Sequence, residues 1–231
     1  MKKFLKFIFI LSFVAILTVG AYIIFKGYIL YKDVTNVKSI LSSVSEIQES
    51  DYFTSINNIP IHYKNAVIAV EDHRFESHGV IDVISISRAI LSNLKQQELA
   101  EGGSTITQQV AKNLYFIESR NNTIYRKIAE IFIGRDLENM YSKNEIFEIY
   151  MNCIYFGDGY YNIKDAAEGY FNKLPSDMNL YECTLLAGIP NAPSAYAPTK
   201  NPDLAKKRQE KVISSMVKYG YLTQKEADEI L

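Results

Sequence analysis

The sequence predicts a mainly α-helical domain carried behind one membrane-spanning helix. Three observations lead there. Residues 4–25 are apolar except for Lys6, Ser12 and Thr18. Helix-start signatures recur at Thr105-x-x-Gln108, Ser142-x-x-Glu145, Asn179-x-x-Glu182 and Thr223-x-x-Glu226, where a hydroxyl or amide caps a backbone N–H and the acid or amide three residues on reaches back. Beyond residue 50, apolar residues recur at helical spacing and few runs alternate with period two.

At 1.5 Å per residue, the apolar run extends roughly 33 Å, enough for a bilayer core of about 30 Å. Lys2, Lys3 and Lys6 at its start orient it with the amino terminus in the cytoplasm and the rest of the chain outside. Lys26 and Lys32 weaken that contrast. The alternative is a cleaved signal peptide with Val19-Gly20-Ala21 as processing site. The run is longer than the usual apolar core of such peptides, which favours an uncleaved anchor.

Three units follow: residues 1–26 as cytoplasmic stub and anchor, 27–50 as a juxtamembrane linker or helix with Leu41, Val44 and Ile47 at helical spacing, and 51–231 as the helical domain. Ile128, Ile131, Phe132 and Met140 predict a helix over 124–141, and Ile146, Ile149, Tyr150 and Cys153 another over 143–156. Asn201-Pro202 starts a later helix that Gly220 ends. Residues 92–104 are polar and read as a connector, with a loop over the site as the other possibility.

With 231 residues and a net charge of −1, the chain suits one domain plus appendages and shows no bulk attraction to nucleic acid. Seventeen tyrosines and twelve phenylalanines supply a core without tryptophan. Cys153 and Cys183 are not in a metal-ligand spacing, and two small buried hydrophobes is the plainer reading. A single disulfide remains open for a domain outside the cytoplasm.

Two stretches carry the chemistry. Glu71-Asp72-His73-Arg74-Phe75-Glu76-Ser77-His78 follows the apolar run Ala66–Val70. If the helix continues, Glu71, Phe75 and His78 share one face, and desolvation beside Phe75 would raise the Glu71 pKa toward that of a general base. Taken alone, an acidic pair ending a helix is the simpler explanation, and His78 reads as a structural hydrogen-bonded histidine. Gly102-Gly103-Ser104-Thr105-Ile106-Thr107-Gln108-Gln109-Val110-Ala111-Lys112 is a glycine-hinged, hydroxyl- and amide-rich helix start. With Arg120, Arg126 and Lys127, the polar side chains of Ser104, Thr105, Thr107, Gln108, Gln109 and Lys112 could cradle a diphosphate. A second acid, Glu130, lies four residues after Arg126, which also fits a helix-surface ion pair. Glu148, in an apolar helical stretch near Asn152, needs partners and is expected to anchor a hydrogen-bond network. Asn191 falls between Pro190 and Pro193, as a turn residue or a polar wall of the site.

In order, these stretches resemble the peptidoglycan glycosyltransferases (glycosyltransferase family 51), which occur as monofunctional enzymes and as the first catalytic domain of class A penicillin-binding proteins. The resemblance runs from about residue 55 to 220. It rests on Glu71-Asp72-x-x-Phe75-x-x-His78, Gly102–Gln109, Arg126-Lys127-x-x-Glu130, Glu148-x-Tyr150-Met151-Asn152 with Phe156-Gly157, Ala166-Ala167-x-x-Tyr170-Phe171-x-Lys173, and Leu186–Pro190. Glu76 and Asn172 depart from the usual tyrosine and glycine, and Asn172 is expected to shift a backbone turn. The end at Leu231 leaves no room for a transpeptidase domain, which fits the monofunctional form.

The resemblance implies a lysozyme-like helical fold with a smaller membrane-proximal lobe, whose exposed apolar residues are expected around Ile84, Ile86, Ile90 and Leu91. The implied substrate is lipid II, polymerised by inverting transfer into a β-1,4 glycan with release of undecaprenyl diphosphate. Glu71 would be the base. Glu130 would assist the leaving diphosphate directly or through a divalent cation (Mg or Mn), and Lys112 and Arg120 would hold phosphate beside Gln108 and Gln109. Asp72, Phe75, His78, Glu148, Asn152 and Asn191 would support the site. Implied partners are lipid II, the growing lipid-linked glycan, the membrane, and division or elongation proteins, with no nucleic acid. The implied location is the outer face of the bacterial cytoplasmic membrane. A lytic enzyme that cuts glycan would leave the cations Lys112, Arg120 and Lys127 without a common purpose. A non-catalytic scaffold would have no need of both acids.

Overall fold

The computed structural model describes residues 2–85, 87, 103–117 and 123–230. Most of the 92–104 connector, Arg120, Ile86, Ile90 and Leu91 lie outside the described residues. Among those described there are helices and no strands, as the sequence predicts. Of the expected lobe surface, Ile84 is exposed.

The first helix, α1 (Lys2–Val37), contains a segment of mean hydropathy 2.6, long and apolar enough to cross a membrane. It runs past the expected boundary at residue 26 without a break. Its carboxy-terminal part packs on α5 (Ile124–Met140). A Cβ at Gly27 would lie 2.4 Å from Ile128 Cγ2, so only glycine allows this approach. Tyr31 donates a 2.6 Å hydrogen bond to Asp136, and its ring stacks on Phe132 with centroids 5.6 Å apart. The juxtamembrane segment is therefore a helical strut against the domain, followed by α2 (Ile40–Gln48), whose Val44 and Ile47 join the core.

Two helical groups form the domain. The helix α3 (Ile61–Glu71) packs on α8 (Leu180–Gly188) and on α10 (Pro202–Lys218), which also pack together. In the other group, α4 (Ile106–Tyr115) packs on α5 and on α6 (Lys143–Cys153). The smaller helices are α7 (Ile163–Phe171), α9 (Pro193–Tyr196) and α11 (Gln224–Ile230). One apolar core, including Tyr63, Phe75, Ile133, Phe147, Tyr150 and Leu186, spans both groups.

The caps set the helix starts. Ser142–Glu145 and Asn179–Glu182 form full reciprocal capping boxes. Thr105 forms only half of one: its hydroxyl accepts from Gln108 N–H, but the Gln108 amide donates instead to the Val80 carbonyl at 2.8 Å. Asn201 occupies the cap position before Pro202 without a side-chain cap bond. Asn172 keeps the left-handed turn that a glycine would supply (φ 54°, ψ 42°). Asparagine tolerates that region better than most residues other than glycine.

The helix carrying Glu71 also ends sooner than expected. Asp72 leaves helical geometry (φ −156°, ψ 69°), and Phe75–Ser77 forms a separate 3-10 turn. Glu71, Phe75 and His78 therefore do not share a helix face. The cause is Asp72: its carboxylate turns aside to accept from His78 Nε2 at 2.6 Å and from Ile106 N–H at 3.0 Å, tying α3 to the start of α4.

Cys153 and Cys183 are free thiols, half-buried and buried. Burial pushes each up to about 12, as suits inert core residues.

Candidate active site

A cleft of about 700 Å³ opens between the two helical groups. Glu71 enters it from the end of α3, Gln109 and Lys112 from α4, Lys127 and Glu130 from α5, and Arg208 from α10. The expected acids and most of the expected cradle thus meet at one place.

Glu71 is held by two donors. Arg208 Nη2 lies 2.9 Å from its Oε1, and Gln109 Nε2 lies 3.0 Å from its Oε2. The Arg208 and Glu71 side chains are only 10% and 8% exposed, so this ion pair is largely shielded from water. Behind it, Tyr150 is fully buried; burial, then the neighbouring Glu71 charge, keeps its hydroxyl protonated well beyond the ordinary tyrosine range. The environment expected for Glu71 was an apolar one beside Phe75. Instead, its surroundings are a guanidinium and an amide, while Phe75 is buried with Lys143 Nζ 4.6 Å from its ring centroid.

Glu130 is buried, with its side chain 3% exposed. Arg126 Nε lies 3.1 Å from one oxygen and Lys127 Nζ 3.0 Å from the other. The Arg126–Glu130 spacing is therefore an interior pair, not the helix-surface pair the spacing alone allows. Lys127 also donates to Ser104 Oγ at 2.8 Å. Burial lowers the Lys127 pKa, an effect that the adjoining Glu130 partly offsets. A resident divalent ion does not fit at Glu130, since both oxygens already face cations. The other cluster of ligand type, Asp72, His78 and Asp82, is occupied by its own bonds: Asp82 accepts from Ile84 N–H, Ser85 N–H and Ser85 Oγ–H and pairs with Arg74.

The rest of the expected cradle divides. Ser104, Thr105, Gln108, Gln109 and Lys112 line the cleft. Thr107 does not; it is fully buried and donates to Glu138 at 2.6 Å, on the opposite face of α4. A helix cannot present residues 105, 107 and 109 on one side. Thr105 and Gln108 are tied to the Val80 carbonyl and act on the fold. Glu148 accepts from Ile56 N–H at 2.8 Å, and Asn152 bonds both the N–H and the carbonyl of Thr54 at 2.8 Å. These residues anchor the segment entering α3, the network expected for Glu148. Asn191 lines the cleft after the Gly188 helix end, as expected for a wall.

Sequence reasoning missed Arg208 and the lysines beside it. Lys207, Lys211 and Lys218 also line the cleft from α10. The signal was present: Lys207, Lys211 and Lys218 fall at i, i+4 and i+11, one helical face. At the rim, His73 stacks on Tyr219 with ring centroids 4.3 Å apart.

The helical domain thus sets a shielded acid, Glu71, in one cleft with the cationic side chains Arg208, Lys112 and Lys127. Residues 38–217 match the family described as Transglycosylase, and the chain belongs to it. Penicillin-binding protein 1F of Bacillus subtilis is 44% identical over 173 residues, covering 75% of this chain and 24% of that protein. Penicillin-binding protein 1A of Neisseria flavescens is 43% identical over 179 residues, covering 78% of this chain and 22% of its own. The chain thus spans about a quarter of the length of these two relatives. A protein of Cupriavidus necator named as a transglycosylase is 41% identical over 188 residues, covering 81% of this chain and 80% of its own.

Proposed function

We propose that this protein polymerises lipid II into peptidoglycan glycan strands, acting from the outer face of the cytoplasmic membrane to which α1 anchors it. The observation that carries the reading is the Glu71 carboxylate, held in the cleft by Arg208 and Gln109 while Lys112 and Lys127 line the same space.

In this mechanism the acceptor sugar's 4-hydroxyl attacks the anomeric carbon of the lipid-linked strand. Glu71 takes the hydroxyl proton as the new carbon–oxygen bond forms. The bond from that carbon to the diphosphate oxygen breaks with inversion, and the electron pair leaves on the diphosphate. Lys112 and Lys127 stabilise the charge that develops there, in a cleft where charges interact more strongly than in water. Glu130 and Ser104 fix the Lys127 ammonium, so Glu130 is a positioning residue in this reading. No step runs through a metal ion.

The test is a lipid II polymerisation assay on the detergent-solubilised full chain. Glycan polymer from lipid II supports the proposal. Cleavage of preformed glycan without polymer formation would assign the lytic alternative, and binding of lipid II with no turnover would assign the scaffold.

A further inference from the structure

One carboxylate oxygen outside the cleft gathers three parts of the chain. Glu138 Oε1, in the last turn of α5, accepts from Thr107 Oγ1 of α4 at 2.6 Å and from Lys143 Nζ of α6 at 2.6 Å. The same ammonium stands 4.6 Å from the centroid of the buried Phe75 ring, in the turn that follows Glu71. Thr107 is fully buried, and the Glu138 and Lys143 side chains are only 17% and 19% exposed. Charge-assisted bonds this short, in such surroundings, are strong and directional. Two local choices run against helix propensity here and favour the meeting. Lys143 lies in the first turn of a helix, where the dipole disfavours a cation. Gly134, one turn before Glu138, weakens the interior of α5. A Cβ there would lie 2.4 Å from Val80 Cγ2 and 3.4 Å from Thr107 Cγ2, so its absence lets the Val80 segment lie against α5 beside Thr107.

A polar cluster between helices is ordinarily scaffolding. What these residues are attached to sets this one apart. Thr107 lies two positions before Gln109, so its bond fixes the roll of α4 from the face opposite Gln109, whose amide donates to Glu71 Oε2 at 3.0 Å. Phe75 lies four residues after Glu71, past the helix break at Asp72. The cluster therefore holds both the helix that brings a donor to Glu71 and the chain that leaves Glu71. Side chains end about 5–6 Å from a helix axis. A roll of about 10° would move the Gln109 amide by about 1 Å, and a misplacement of that size can cost about 10²-fold in rate.

We infer that Thr107, Glu138 and Lys143 are positioning residues for Glu71, acting from outside the cleft through Gln109 and the Phe75 turn. This rests on the polymerase reading above, in which Glu71 is the base.

The test is a double-mutant cycle on the full chain in detergent, read by lipid II polymerisation and by the NMR signal of the Gln109 side-chain amide. Thr107→Val keeps the shape and removes the hydroxyl; kcat falls at least about tenfold while KM stays within about twofold. In Gln109→Ala protein the same substitution changes kcat by less than about twofold, since the contact it acts through is already gone. Thr107→Ser, which keeps the hydroxyl, restores most of the rate. Lys143→Met keeps the stem against Phe75 and removes the ammonium, and it also lowers kcat about tenfold at constant KM. It leaves Glu138 bonded to Thr107, so it decides the matter where Thr107→Val does not fold. Wild-type kcat in either folded variant, or the full Thr107→Val loss in the Gln109→Ala background, overturns the inference and leaves scaffolding alone. The Gln109 amide resonance, assigned by its loss in Gln109→Ala, shifts in Thr107→Val whether or not polymer forms. A wild-type protein that makes no polymer would sink the proposed function; a shifted resonance would still uphold the positioning role, and an unshifted one would remove it.

Discussion

Arg208 Nη2 sits 2.9 Å from Glu71 Oε1 across 137 residues of chain, joining the end of α3 to the middle of α10 inside the cleft. The pair aims the carboxylate and sets its second oxygen against Gln109. Glu71→Gln is expected to abolish polymerisation, by at least about 10²–10⁴-fold as for loss of a general base, with the helical circular dichroism spectrum retained. Arg208→Ala should lower kcat by about 10²-fold through loss of aim, with Arg208→Lys intermediate. Wild-type turnover in Glu71→Gln would remove the base assignment.

Lys112 lines the cleft without a partner among the described residues that fixes the fold. Lys112→Ala should raise KM for lipid II about tenfold, the loss of one charge-assisted contact, with a smaller change in kcat. Unchanged steady-state kinetics would contradict the diphosphate wall.

Asn152 clips the Thr54 N–H and carbonyl to α6. Removing it strands two buried backbone groups at about 1–3 kcal/mol each. Asn152→Ala should therefore lower the urea midpoint by at least the equivalent of one such group. A midpoint equal to wild type would mean that water replaces the clip.

His78 supplies a pH signature. Burial lowers its pKa, but the hydrogen bonds to Asp72 and to the Gly79 carbonyl outweigh that, and the net shift is upward, against the charge of Lys143. The folded state thus holds the proton above the ordinary value of about 6.5. The stabilisation is complete below about pH 6.5 and is lost as pH rises through the folded value. His78→Gln should flatten that part of the stability–pH curve; an unchanged slope would show that the pair contributes nothing there.

Gly27 sets how closely α1 meets the helix that carries Lys127 and Glu130. Gly27→Val would place carbon within 2.4 Å of Ile128, and the repacking should cost about 1–3 kcal/mol. Disulfide trapping between cysteines at positions 31 and 136 should fall in that variant. Equal trapping would show that α1 accommodates the side chain.

Local signals were legible in the chain itself. The membrane-length helix was visible because residues 4–25 hold only three polar side chains, Lys6, Ser12 and Thr18. The Ser142 and Asn179 helix starts were visible because a cap is a contact between residues three apart. Glu71, Glu130 and Lys112 were visible because ordered motifs carried them. What local spacing could not supply was direction: it allowed Thr107 to face the cleft with Gln109, and the helix to continue through Phe75. The tertiary structure turned Thr107 to Glu138 and broke the helix at Asp72 to reach His78 and Ile106 N–H. It also chose Arg208 as the partner of Glu71. Such a partnership depends on how α3 and α10 pack, and a pairing across 137 residues leaves no periodic trace in sequence.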